Sequence, residues 1–365
     1  LINLLAELEV ATAKSDMSFS VSVPDLGLEW SGASLDTVFA QRGNLLRWGF
    51  WRMLLDVLRF NRITTAIARA NQEAALAQPR GAVLEQHRFS PEFQNWYFLP
   101  MMGCIWSCPT AQMLQFPVAT MIRFCHNHGL LQVSNRPQWH TVQGGAKHYV
   151  QKIVDGIADK RLNSPVRLIA RDDSGVRIVT EGQAERFDAV VLAVQSDQAL
   201  QILERPTPAE QQVLGSIRYQ ANRAVLHTDA SVLPRRRKAW AAWNYERSAP
   251  PTPDAAEASQ VCLHYLLNKL QPLPFEQPVV VSLNPRRAIA SEHVLGEYDY
   301  AHPVFDLAAI RAQIDVPQLQ GAQHTYFCGA WTGYGFHEDG LKSGMQVART
   351  LLQRMEQATP WAKAA

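Results

Sequence analysis

The chain lacks a charge excess of either sign, with 35 lysines and arginines against 33 aspartates and glutamates in 365 residues. That balance argues against a broad basic surface, and so against nucleic acid or an anionic membrane as the main partner. Cysteine is scarce, at five and an odd count, which argues against a disulfide framework and fits a reducing compartment. A cytoplasmic location is expected. A basic leader is also missing, since Leu1 to Glu9 reads as an amphipathic helix. No run reaches the ~18 apolar residues that span a bilayer. The most apolar region, Trp96 to Phe124, is interrupted by Pro100, Pro109 and Pro117 and reads as buried or membrane-peripheral. What remains is a small-molecule enzyme, and 365 residues predict two lobes with a large core.

The residues that are present change character along the chain. Phe19, Val21 and Val23 alternate with polar residues and turn through Pro24-Asp25-Leu26-Gly27, which predicts a β-hairpin. Trp48, Trp51, Met53, Leu54, Leu55, Val57, Leu58 and Phe60 recur largely at three- and four-residue intervals, predicting a core-facing helix. Ser90-Pro91-Glu92 reads as an N-cap, and Gly129 as the C-cap of a helix from Pro117 to Cys125. Cys104 and Cys108 have CxxxC spacing with no second pair, and His126 and His128 do not share a helix face. No metal site is therefore expected. Gln143-Gly144-Gly145 reads either as a plain turn or as bare backbone against a ligand, ahead of a helix from Lys147 to Asp159.

From Ser164 the period becomes two. Val166 to Arg171, Val176 to Thr180 and Ala184 to Phe187 predict a β-meander, followed by Asp188 to Val194, a continuous apolar run expected to be buried on both faces. Thr207-Pro208-Ala209-Glu210 is a capping box. Further strands are predicted at Ala224 to His227, Trp240 to Asn244, Cys262 to Leu266 and Val279 to Leu283. Between them, Arg235 to Lys238 reads as a solvated loop or a phosphate contact, and Ala249 to Ala258 as a surface loop.

Near the end, Thr325 to Cys328 runs into glycines at 333, 335 and 340 and then a helix to Leu352. Strand, glycine turn and helix N-terminus together suit a ligand carrying phosphates or an electron-rich ring. The run Gly329-Ala330-Trp331-Thr332-Gly333-Tyr334-Gly335-Phe336-His337-Glu338-Asp339-Gly340, placed after the meander and its buried strand, resembles the flavin-containing amine oxidoreductase superfamily. Within it the chain is similar, over nearly its whole length, to bacterial proteins described as predicted NAD/FAD-binding proteins.

The resemblance implies FAD as cofactor. It implies that Gly329, with Ala330, lies by the diphosphate and ribityl chain, that Asp339, Gly340 and Leu341 lie at the flavin N1–C2=O edge, that Val166 passes the adenine and that Ala193 is near the cofactor. Trp331, Phe336 and His337 are the expected substrate-facing wall, with His337 the single acid–base candidate or else only a hydrogen-bond donor. The pattern also departs from the family. Ala330 stands where Gly-Glu is common, His337 falls at the aromatic-cage tyrosine, Asp339 replaces a usual glutamate, and no lysine matches the one beside flavin N5.

No G-x-G-x-x-G occurs, although the superfamily opens on that fingerprint. The expectation is a chain lacking about 30 residues, one βαβ unit, at its N-terminus. The predicted fold is α/β, with an FAD-binding Rossmann-like lobe (140–200 and 320–365) interwoven with an α+β substrate lobe (18–139 and 201–319). The predicted activity is hydride transfer from a substrate C–H bond to flavin N5. Desaturation of a lipid-like chain, or flavin binding without catalysis, are the alternatives.

Overall fold

The computed structural model describes residues 1–70, 84–107, 113, 118–132, 136–247 and 261–358. Cys108, Pro117 and the 249–258 loop lie outside them. Two discontinuous units make up the chain: Leu1–Leu4 with Ile153–Tyr219 and Pro303–Ala365, and Leu5–Lys152 with Gln220–His302. The chain therefore passes back and forth between them. Residues 140–152 fall in the second unit, while 201–219 and 303–319 fall in the first. The reason is the core: Val213, Leu214, Ala312, Val316 and Leu319 pack in one cluster with Leu192 and Phe327.

In chain order the strands are β1 (Thr12–Ser15), β2 (Phe19–Val23), β3 (Leu28–Ser31), β4 (Trp139–Val142), β5 (Leu168–Asp172), β6 (Gly175–Thr180), β7 (Gln183–Phe187), β8 (Val190–Leu192), β9 (Tyr219–His227), β10 (Trp243–Glu246), β11 (Cys262–Leu266), β12 (Val280–Leu283), β13 (Val294–Pro303) and β14 (Thr325–Phe327).

The second unit is built on a seven-stranded sheet, ordered β13-β9-β12-β11-β10-β2-β3. Its β2–β3 hairpin turns at Gly27, whose φ of 51° is the left-handed conformation that favours glycine. Parallel pairing of β2 with β10 sets Ser20 beside Asn244. A helix covers the hairpin through aromatic rings, Trp30 meeting Phe50 edge-on at 6.3 Å, and helix meets helix where Phe60 lies 5.4 Å from Phe93. The helix Trp48–Ala70 buries Phe50, Met53, Phe60, Asn61 and Thr64. Trp48, Trp51, Leu55 and Leu58 are instead exposed, which corrects the expectation that all eight apolar positions face the core. Apolar residues surround more of this helix than one packing interface can cover.

The first unit holds the meander β5–β6–β7 and the parallel pair β8–β14. Its helix Pro208–Gly215 begins with the expected capping box, the Thr207 side chain accepting from Glu210 N–H while the Glu210 carboxylate accepts from Thr207 N–H. The expectation for residues 188–194 needs correction. Val190 and Leu192 are buried, but Val191 is 42% and Val194 38% exposed. Successive side chains of a strand point to opposite faces: Val190 and Leu192 pack in the main core cluster, while on the other side Ala189 meets the smaller cluster of Tyr326, Cys328 and Val347 and Val191 stays exposed. Among the described residues no helix is long and apolar enough to cross a membrane.

Candidate functional site

The chain leaves β14 through Cys328, whose N–H donates to Leu192 O at 3.0 Å and so extends the parallel register by one residue. The next residue, Gly329, has φ 153° and ψ 165°. That region is open to glycine and essentially closed to other residues. A Cβ there would stand 2.6 Å from Trp331 Nε1. Ser343 clamps the same peptide, its Oγ accepting from Gly329 N–H at 2.9 Å and lying 3.2 Å from Gly329 O. A short 3-10 turn, Ala330–Thr332, follows, and Ala330 O accepts from both Gly333 and Gly335 N–H at 3.1 Å.

Asp339 organises the rest of the turn. Its Oδ2 accepts from Tyr334 N–H at 3.1 Å and from Phe336 N–H at 3.0 Å, so its charge is spent on holding the loop at the start of the helix His337–Ala358. Gln313 braces the loop from outside, its Nε2 donating to Trp331 O at 2.8 Å and to Gly333 O at 2.7 Å. Sequence reasoning passed over Gln313 because nothing local marks a glutamine that reaches a loop 20 residues away. Asp339→Ala is expected to cost about 1–2 kcal/mol in denaturant unfolding through loss of this cap, and Asp339→Asn, which keeps an acceptor, much less.

The other expected residues take different places. Gly340 lies against Ala330, since a Cβ on Gly340 would sit 3.7 Å from Ala330 N. Ala193 directly follows β8, beside Cys328 in the parallel register, so Ala193 and Gly329 come together at the C-terminal ends of the two strands. Ligands bind at such strand ends in α/β sheets. Leu341 is half-buried in the first turn of the helix and Phe336 half-buried before it, while His337, the first helical residue, is exposed. Trp331 is buried in the core cluster and its indole N–H donates to Val194 O at 3.0 Å. Val166 packs against that same cluster just ahead of the meander.

A second feature belongs to the other unit. A cavity of about 630 Å³ has Phe19, Trp30, Tyr97, Met101 and Trp139 among its walls, with Lys14, Asp16, Arg136 and Lys269 as its charged lining. Tyr97 comes from a π-helical turn, Gln94–Phe98, and stacks on Trp30 at 6.1 Å; burial pushes its phenol pKa well up, so it remains neutral.

The turn fits FAD on its own evidence. Gly329 takes a conformation that a side chain would destroy, Gly335 turns the chain at φ 93°, and both precede the N-terminus of a 22-residue helix. Comparison with known proteins agrees. A profile of the flavin-containing amine oxidoreductases matches residues 72–352. No individually curated protein sequence matches the chain. Among solved structures, a putrescine oxidase redesigned in its cofactor binding is 13% identical with a TM-score of 0.63, over 97% of this chain and 85% of that one. Cyclohexylamine oxidase from Brevibacterium oxydans IH-35A is 15% identical with the same TM-score, 0.63, over 97% and 85%. A CLA-producing fatty acid isomerase from P. acnes is 14% identical, again at 0.63, over 95% and 83%. With its profile match spanning well over half of the residues, the chain belongs to the flavin-containing amine oxidoreductase family and is an FAD-dependent oxidoreductase.

Proposed function

We propose that the protein takes a hydride from a C–H bond of an apolar substrate with an anionic end, and that the cavity of the second unit receives that substrate. Bound FAD supplies the hydride acceptor, at N5. The chain's own residues bind, orient and exclude water. Gly329 and Ala330 would hold the cofactor by backbone, with Gly340 and Leu341 of the helix start turned to its electron-rich edge, where the helix dipole favours negative charge. Asp339 keeps that edge in shape, and Ala193 completes the strand-end wall. His337, at the exposed start of the helix, with Phe336 before it, is the candidate hydrogen-bond donor or proton carrier beside the cofactor.

The cavity lining carries the reading. Lys14, Arg136 and Lys269 stand against Asp16, and Lys269 Nζ already lies 3.3 Å from Asp16 Oδ2. A cationic amine would meet net positive charge there, whereas a carboxylate or phosphate end would be attracted. The aromatic and methionine walls suit a hydrocarbon chain. Desaturation of a lipid-like acid is the reading this lining favours over oxidation of a small amine.

The FAD-loaded protein, mixed anaerobically with a long-chain carboxylic acid or with an amine of equal length, tests this. Bleaching of the flavin absorbance by the acid is expected, and bleaching by the amine alone would overturn the proposal. Arg136→Ala is expected to raise KM for the acid about tenfold, or ~1.4 kcal/mol, with little change in kcat.

A further inference from the structure

The seven-stranded sheet carries a line of buried polar side chains on one face. Glu246 on β10 is paired across the strands with Cys262 on β11. His264, two residues further along β11, shares that face and is paired with Ser282 on β12. Cys262 and His264 are 1% and 2% exposed. None of the three lines the cavity or touches the glycine turn. The His264 Nε2 atom lies 3.5 Å from Cys262 Sγ and 3.3 Å from Glu246 Oε2, and all three potential ligand atoms lie within 4.8 Å of one another.

We propose that Glu246, Cys262 and His264 form a zinc(II) site. Tetrahedral zinc with bonds of about 2.0–2.1 Å to nitrogen, 2.3 Å to sulfur and 2.0–2.2 Å to oxygen needs ligand separations of roughly 3.5 Å for N···S and 3.4 Å for N···O. The two separations in the structure match these edges. The far side of the imidazole is anchored as metal-bound histidines require: His264 Nδ1 is 2.6 Å from Ser282 Oγ. Ser282 Oγ in turn is 2.7 Å from His227 Nε2, and His227 Nδ1 accepts from Asp229 N–H at 3.1 Å. His227 therefore donates through Nε2 to Ser282, and with Nδ1–H of His264 donating to the same oxygen the Nε2 lone pair points at the ion. A thiolate and a carboxylate neutralise the dication, so the site is compatible with Arg286 and Arg287, whose charges act on Glu246. Glu246, at 14% exposed, is the least buried of the three, and water would take the fourth position.

Binding of the metal alone tests this without reference to the flavin. Protein stripped with a chelator is titrated with zinc(II) against a chromophoric competitor, and with cobalt(II) to look for thiolate-to-metal charge-transfer absorption. One equivalent of zinc, proton release, a raised Tm and the cobalt–thiolate band are expected. Cys262→Ser should abolish the band and weaken zinc binding at least about 100-fold, and Ser282→Ala should weaken it about 10-fold at unchanged stoichiometry. Wild-type protein without a cobalt–thiolate band, or binding zinc no more tightly than a natively folded Cys262→Ser variant, would overturn the site and leave a hydrogen-bonded cluster. If that variant does not fold, the wild-type cobalt spectrum alone decides.

Discussion

Arg171→Met is expected to destabilise the protein by about 3–5 kcal/mol in urea unfolding at neutral pH, because it leaves a buried carboxylate without its partner. Arg171 and Glu210 have side chains only 3% and 1% exposed. The guanidinium grips both carboxylate oxygens, at 2.5 and 2.9 Å, and also reaches Thr325 Oγ1 at 3.3 Å and Arg205 O at 2.8 Å. Glu210 Oε2 additionally accepts from Thr207 N–H at 2.7 Å. One ion pair thus ties β5, β14 and the helix Pro208–Gly215 together. Replacing both partners by apolar residues, as in Arg171→Met with Glu210→Leu, should recover much of the loss, since no charge is then stranded. A double variant as unstable as the single one would contradict this.

The same pair sets an acid limit with a definite sign. Burial by itself raises the Glu210 pKa, but the hydrogen bonds from Arg171 and Thr207 and the Arg171 charge outweigh it and hold the carboxyl below its ordinary 4.5. A group whose pKa is lowered on folding contributes stability that is present above the unfolded value and is lost as pH falls through the folded one. The wild-type contribution should therefore begin to fade as pH drops through the ordinary carboxylate value and be lost below it, whereas in Arg171→Met burial raises the lone Glu210 carboxyl, so the stability gap between variant and wild type should be widest at neutral pH and narrow on acidification.

Gly329→Ala is the second change with a large expected effect. It places a Cβ 2.6 Å from Trp331 Nε1 in a backbone conformation that alanine does not share. Strain of roughly 1–3 kcal/mol follows, and relief would require moving an indole that is locked into the core by its bond to Val194 O. FAD affinity should fall more than tenfold in a fluorescence titration, with a lower Tm. Gly344→Ala is the control, since its Cβ would meet no atom within 4 Å in the same helix. Equal losses in the two variants would mean that the turn has no special part in holding the cofactor.

Features encoded by neighbouring residues were legible before the fold was known. The hairpin at Gly27, the capping box at Thr207 and Glu210, the meander and the strand–glycine–helix run after Thr325 all depend on contacts a few residues apart. Features that depend on distant partners were not. Thr12 pairs with Val142 across β1 and β4, and β2 joins β10 in parallel, without a local mark of either. β13 was missed because its exposed Leu295, Tyr298 and Tyr300 do not alternate with buried positions.

By itself the sequence determined the α/β class and the glycine-based turn, because capping, turn conformation and strand period are short-range properties of the residues concerned, and its motif run carried the resemblance to the flavin family. Tertiary structure alone decided which face of the helix Trp48–Ala70 is buried, that Asp339 spends its charge on the Tyr334 and Phe336 amides, that Trp331 belongs to the core, and that Glu246, Cys262 and His264 converge. Each of these turns on which surfaces exclude water together, and burial is settled only when segments far apart in the chain have packed.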